Sequence, residues 1–122
     1  MSILICIPAF NEGKVIDKVI RNCLKFADNV VVCDDGSTDN TYEIADSAGA
    51  EVIRHEKNIG KGESLRSLFK FARHSNHDII VTIDGDGQFL PEEIPKLVKG
   101  IEKGKSDLVI GCHLYTCPSP RD

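Results

Sequence analysis

Residues 30–39 read Val-Val-Val-Cys-Asp-Asp-Gly-Ser-Thr-Asp. A continuous apolar, β-branched run suits a strand covered on both faces, because a strand with one wet face alternates polar and apolar residues. The run then breaks into two adjacent carboxylates and a Gly-Ser-Thr turn, so the chain leaves the strand at a polar rim. Four more short runs share the pattern: Ile3–Ile7, Glu51–Arg54, Ile79–Ile83 and Leu108–Ile110. Between them the period lengthens to that of a helix. Val15, Ile16, Val19, Ile20, Cys23 and Leu24 form one apolar stripe. Leu65, Leu68, Phe69 and Ala72 form a second, and Ile94, Leu97, Val98 and Ile101 a third. A shorter, weaker helical stretch covers residues 41–48.

Helix-boundary residues agree with this division. Asp39 or Asn40 can cap the second helix, with Glu43 spaced for a capping box with Asn40. Pro91-Glu92-Glu93 marks a helix start with acids in its first turn, and Gly49, Gly100 and Gly104 fit helix ends. Strand and helix alternate throughout, which predicts an α/β fold of three layers, α/β/α, around an open and mostly parallel sheet. One domain is expected over 1–111. The stretch 112–122 has no period and holds Pro118 and Pro120, so it is expected as an irregular tail.

Composition narrows the function classes. The chain has 122 residues, 41% hydrophobic and 28% charged, with a net charge of −4. No basic stripe is visible, which speaks against nucleic-acid binding. No run approaches the roughly 20 apolar residues of a membrane span, and the Ile3–Ile7 run lacks the basic leader of a signal peptide. The five cysteines are odd in number and form no CxxC pair, so a zinc site is not expected and reduced thiols in a cytoplasmic protein are.

In parallel sheets, ligands bind beyond the carboxyl ends of the strands. The polar residues of this chain collect there, in the loops Pro8–Glu12, Asp34–Asp39, Asn58–Gly62 and Asp84–Gln88. Asp84 and Asp86 can both reach one site if the chain turns at the intervening glycine, and hard cations such as Mg²⁺ or Mn²⁺ prefer such oxygen ligands. Taken alone, Asp84-Gly85-Asp86-Gly87 is equally an ordinary Asp-Gly turn. Adjacent carboxylates at Asp34 and Asp35 repel, and Asp39 or Asn40 is available for the helix cap, so the pair is expected to serve a base N–H or a ribose hydroxyl. Lys61, flanked by Gly60 and Gly62 at a helix start, is placed to meet a phosphate, though a loop bounded by two glycines explains it as well. His55, His74 and His77 are read as surface or packing residues.

Taken together, Ile7–Glu12, Val32–Asp39, Asn58–Gly62 and Asp84–Gln88 resemble the family-2 inverting glycosyltransferases of the GT-A fold. The likeness is nearest to the dolichyl-phosphate mannose synthases and other polyprenyl-phosphate glycosyltransferases. The resemblance implies that Pro8, Ala9, Phe10 and Glu12 line a nucleotide pocket. It implies that Asp34 and Asp35 serve the base or ribose, that Lys61 meets a phosphate, and that Asp84 and Gly85 contact the nucleotide sugar. Asp84, Asp86 and Gln88 would hold Mg²⁺ or Mn²⁺. The implied donor is a UDP- or GDP-linked sugar and the implied acceptor a polyprenyl phosphate. The sequence departs from the family after Gly111, where Cys112-His113 stands in place of Ser-Arg. It also stops about one domain short of its relatives. A truncated member is therefore expected, without acceptor site or general base, binding nucleotide and metal but transferring sugar poorly. A sheet edge left open by truncation would invite self-association. Other readings are a nucleotidyltransferase, a receiver domain, and a non-catalytic nucleotide-binding or oligomerisation module. A nucleotidyltransferase would carry a Gly- and basic-rich first loop, and a receiver domain would place its acidic pair after the first strand.

Overall fold

A computed structural model describes residues 2–83, together with the backbone of short strands at 108–110 and 115–117. The elements run β1 (Ile3–Ala9), α1 (Ile16–Cys23), β2 (Asn29–Asp34), α2 (Thr41–Ser47), β3 (Glu51–Arg54), α3 (Lys61–Arg73), β4 (Ile79–Thr82), β5 (Leu108–Ile110) and β6 (Tyr115–Cys117). All five expected strands form. The expected helix over residues 94–101 lies outside the described residues.

The sheet order is β3-β2-β1-β4-β5-β6, and the first five strands are mutually parallel. From β1 the chain winds outward through β2 to β3, then crosses back over both to place β4 on the other side of β1. Crossovers between parallel strands are right-handed, so reversing direction moves the connecting helix to the opposite face. The packing shows it. Ile5, Ile7, Ala9, Val30 and Val32 share a buried cluster with Ile16, Val19, Ile20 and Cys23 of α1 and Ala45 of α2. Leu4, Cys6, Val31 and Cys33 point the other way, onto Leu68, Leu65, Phe71 and Ala72 of α3. Both faces of β1 and β2 are buried, which is why their sequences read as unbroken apolar runs. The three-layer expectation is met.

Three details differ from the sequence reading. Phe71, rather than Phe69, packs on the α3-side cluster. Helical phase tolerates either residue beside the Leu65–Leu68 stripe, and the position of the sheet decides between them. At α2 the N-cap residue Asn40 makes no side-chain cap hydrogen bond, so the capping box with Glu43 does not form. Asp39 does the work instead: its Oδ1 accepts the Thr41 N–H at 2.9 Å and the Thr41 hydroxyl. Finally, Tyr115–Cys117, expected within an irregular tail, pairs antiparallel with β5. The outer edge of β5 offers a row of backbone groups, and Tyr and Thr suit a strand.

Cys6, Cys23 and Cys33 are buried free thiols. Burial pushes Cys6 and Cys23 up to about 12 and Cys33 up to about 11. They behave as small apolar core residues. No helix among the described residues is long and apolar enough to cross a membrane.

Candidate functional site

The carboxyl ends of β1, β2 and β3 carry loops that lock to one another through short polar groups. Ala9 and Asp34 are paired across the sheet, and the Ala9 carbonyl accepts the Asp35 N–H at 2.9 Å. Just beyond, Asn11 takes a positive φ of 55°, which Asn tolerates better than most residues. That turn aims its side-chain oxygen at the β2–α2 loop. Oδ1 accepts the N–H groups of Thr38 at 2.8 Å and Asp39 at 3.3 Å, and the Asn11 N–H donates to Ser37 Oγ at 2.8 Å. One residue on, the Glu12 N–H donates to Thr41 Oγ1 at 3.0 Å, while the Glu12 carbonyl accepts the N–H of Ile16 at 2.9 Å. Gly13 N–H reaches Asp39 Oδ2 at 3.1 Å. Hydrogen bonds, that of Thr41 foremost, hold the Asp39 carboxyl below its ordinary range.

Asp34 and Asp35 have structural partners, contrary to the expectation that neither would. Asp34 is fully buried; Oδ1 accepts the Ser37 N–H at 3.1 Å and closes the turn. Its Oδ2 has no hydrogen-bond partner among the described residues and lies 4.0 Å from Arg54 Nε. Arg54 in turn sits over the Tyr42 ring, 4.6 Å from its centre. Asp35 faces the opposite side of the sheet. Its Oδ1 accepts the Ile59 N–H at 3.1 Å and its Oδ2 the Gly60 N–H at 2.9 Å, while the Asp35 carbonyl accepts from the Asn58 amide at 3.3 Å. His55 Nδ1 stands 2.8 Å from Oδ1. Burial alone would raise the Asp35 carboxyl, but the hydrogen bonds from His55, Ile59 and Gly60 outweigh it and hold the group below the usual carboxylate range. Gly36 makes this close approach possible: at φ +72° it lies against Lys57 and Asn58, and an added Cβ would come within 2.4 Å of the Lys57 carbonyl carbon.

The structure thus brings Pro8, Ala9, Phe10, Glu12, Asp35 and the Asn58–Lys61 loop to one edge. Ala9 packs its methyl into the core, so its contribution to a site is its backbone. Phe10 is 43% exposed on the first loop and Ile59 47% exposed on the third, two large apolar side chains left open at a polar rim. Lys61 is the first residue of α3, and Gly60 caps that helix at φ +110°. Gly62 lies inside α3 and is no helix boundary. β4 delivers the chain to the same edge beside β1, with the Ile83 N–H donating to the Cys6 carbonyl at 3.1 Å. Asp84, Gly85, Asp86 and Gln88, which follow Ile83, lie outside the described residues. Among the described residues, no group of three or more His, Cys, Asp or Glu side chains is placed to hold a metal ion. An open cavity of about 430 Å³ between β3 and α3, lined by Ile53, Ser67, Lys70, Phe71, His74 and Ser75, extends toward the end of α3 and away from this rim.

Sequence reasoning missed Asn11, Ile59 and His55. Asn11 and Ile59 stood inside quoted motifs, but a positive φ and an exposed rim position leave no periodic trace. His55 had no spacing partner in sequence.

The order reversal lies between β1 and β4, where an open parallel sheet parts its loops into a crevice. Known proteins share this arrangement. The model of Glycosyl transferase family 2 matches residues 4–121. The UDP-N-acetylglucosamine–dolichyl-phosphate N-acetylglucosaminyltransferase of Methanococcus voltae is 34% identical over 130 aligned positions, taking in 92% of this chain and 52% of that protein. The dolichol-phosphate mannosyltransferase of Pyrococcus furiosus is 35% identical over 119 positions, 91% of this chain and 33% of that protein. The chain spans about half the length, or less, of most of the curated relatives it matches. Among solved structures, glucosyl-3-phosphoglycerate synthase from Mycobacterium tuberculosis, in complex with Mn²⁺, UDP-glucose and phosphoglyceric acid, superimposes with a TM-score of 0.70. It is 32% identical, over 84% of this chain and 40% of that one. The strand order, the interlocked loops and the match over nearly all its residues lead to one conclusion: the chain belongs to glycosyl transferase family 2 and carries part of the GT-A fold.

Proposed function

We propose that these residues form the donor side of a glycosyltransferase that binds a UDP- or GDP-linked sugar with Mg²⁺ or Mn²⁺ and passes the sugar to a polyprenyl phosphate. The observation that carries the reading is the meeting of the β1, β2 and β3 loops at the strand-order reversal, at the edge where β4 ends. Pro8, the Ala9 backbone, Phe10 and Glu12 would line the nucleotide pocket from β1. Asp35, whose Oδ2 accepts the Gly60 N–H, would also accept from the base. Asp34 acts through the turn it closes at Ser37. Lys61 stands at the amino end of α3, where a phosphate is favoured. Asp84 and Gly85 would contact the ribose and diphosphate, and Asp84, Asp86 and Gln88 offer the hard oxygen donors that Mg²⁺ and Mn²⁺ prefer. Bound there, the ion would neutralise the departing diphosphate. The solved mycobacterial relative with Mn²⁺ and UDP-glucose supports the donor class, and the two dolichyl-phosphate transferases support the acceptor class. Membership of glycosyl transferase family 2 favours this reading over a nucleotidyltransferase or a purely structural module.

Calorimetric titration tests it. UDP or GDP should bind the chain at least about tenfold more tightly in Mn²⁺ than in EDTA, and Asp86→Ala should erase that difference. Equal affinity of the variant and the parent in Mn²⁺, or no binding of either nucleotide, would sink the reading.

A further inference from the structure

Behind Asp35 lies a buried polar chain that nucleotide binding does not itself require. The His55 side chain is only 13% exposed; its Nδ1 is 2.8 Å from Asp35 Oδ1 and its Nε2 is 2.9 Å from Ser67 Oγ on α3. Cys33 Sγ packs 3.6 Å from Nε2. An ionised carboxylate only accepts hydrogen bonds, so Nδ1 must carry a proton. The Asp–His–Ser connectivity is that of a nucleophilic relay, but Ser67 is the seventh residue of α3. Past the first turn, helix N–H groups are spent within the helix, so none is free to stabilise an oxyanion there. The chain is therefore built to hold rather than to react.

We infer that His55 is a positioning residue: backed by Ser67, it fixes the Asp35 carboxylate in the orientation that receives the Ile59 and Gly60 N–H groups, and so sets the β3–α3 loop at the rim of the donor site. The consequence for nucleotide binding rests on the donor-site reading above; the consequence for the loop does not. Two features support the assignment. The acceptor set of Asp35 is shared between His55 and the loop, so rotating the carboxylate breaks both attachments together. Among the described residues the loop is also tied by the 3.3 Å bond from Asn58 to the Asp35 carbonyl, while the Ile59 and Gly60 N–H groups are held by the carboxylate.

Amide hydrogen exchange on the 122-residue chain separates this from a merely structural role. Rates at Ile59 and Gly60 are compared with those at Val31 and Val32 in β2, which report global opening. His55→Ala should speed exchange at the two loop amides about tenfold beyond any change in β2. His55→Asn, whose amide reaches the Nδ1 position, should restore most of the protection; His55→Gln, whose amide reaches the Nε2 position, should not. If His55→Ala fails to fold, the Asn and Gln variants carry the comparison. Nitrogen-15 shifts of the wild-type imidazole should show Nδ1 protonated. Loop exchange that merely tracks β2, rescue by Gln equal to that by Asn, or a neutral ring with bare Nδ1 would overturn the inference. Affinity for UDP or GDP in Mn²⁺ should fall about tenfold in His55→Ala and recover in His55→Asn. Should the parent bind neither nucleotide, the donor-site reading fails, and the exchange and nitrogen-15 results still decide the role of His55.

Discussion

At Gly36 the β2–α2 turn meets the backbone of Lys57 and Asn58, at a φ that L side chains rarely adopt. Gly36→Ala adds a methyl that can be relieved only by moving backbone, so it should cost about 3 kcal/mol, as strain and overpacking together. A urea titration would show this as a lower midpoint at unchanged slope. Asp35 makes a second prediction. Its folded carboxyl lies below its unfolded value, so its contribution is complete above about pH 4 and is lost as pH falls through the lower folded value. Asp35→Asn removes that dependence, and melting temperatures measured below about pH 4 should fall less steeply in the variant than in the parent. At this scale the sequence was only partly legible. The carboxylates and glycines announced a rim, but not that Asp34 and Asp35 would turn to opposite faces of the sheet. Nor did they announce that His55, 20 residues from Asp35, would back it. Such contacts depend on register between β2 and β3, which local sequence does not carry.

Elements were read more surely than residues, because burial on two faces imprints a continuous apolar run and burial on one imprints a helical stripe. The α1 stripe was legible in full: Ile16, Val19, Ile20 and Cys23 are its buried residues. Ile20→Ala, at a fully buried position, should cost about 2–5 kcal/mol in chemical denaturation. The cap of α2 stayed open between Asp39 and Asn40 because the two are chemically alike, and only the path of the chain selects Asp39. Thr41 joins this helix to the entry of α1: it is buried, donates to Asp39 and accepts from the Glu12 N–H. Thr41→Val keeps the shape and loses both bonds, so it should destabilise by about 2 kcal/mol. Loss of amide-exchange protection at Glu12 would place the defect at the joint rather than in the core.

Among the described residues, the winding of strands brings the loops after β1, β2 and β3 to one edge, and the alternation of runs and stripes foretold that winding. What the alternation could not give was the pairing of β6 with β5, since three residues between irregular stretches leave no period. The same architecture seals three thiols between sheet and helices. Cys6, Cys23 and Cys33 should resist alkylation in the native state and react at the rate of unfolding, as site-resolved mass spectrometry would show. The loops at the rim are latched by Asn11, Asp35 and backbone amides, while the two large side chains that stand open there, Phe10 and Ile59, take no part in the latching through their side chains. On the donor-site reading proposed above, shape and selectivity are thereby uncoupled: a library randomised at positions 10 and 59 should keep near-parental melting temperatures while its members scatter in their preference between uridine and guanosine diphosphates.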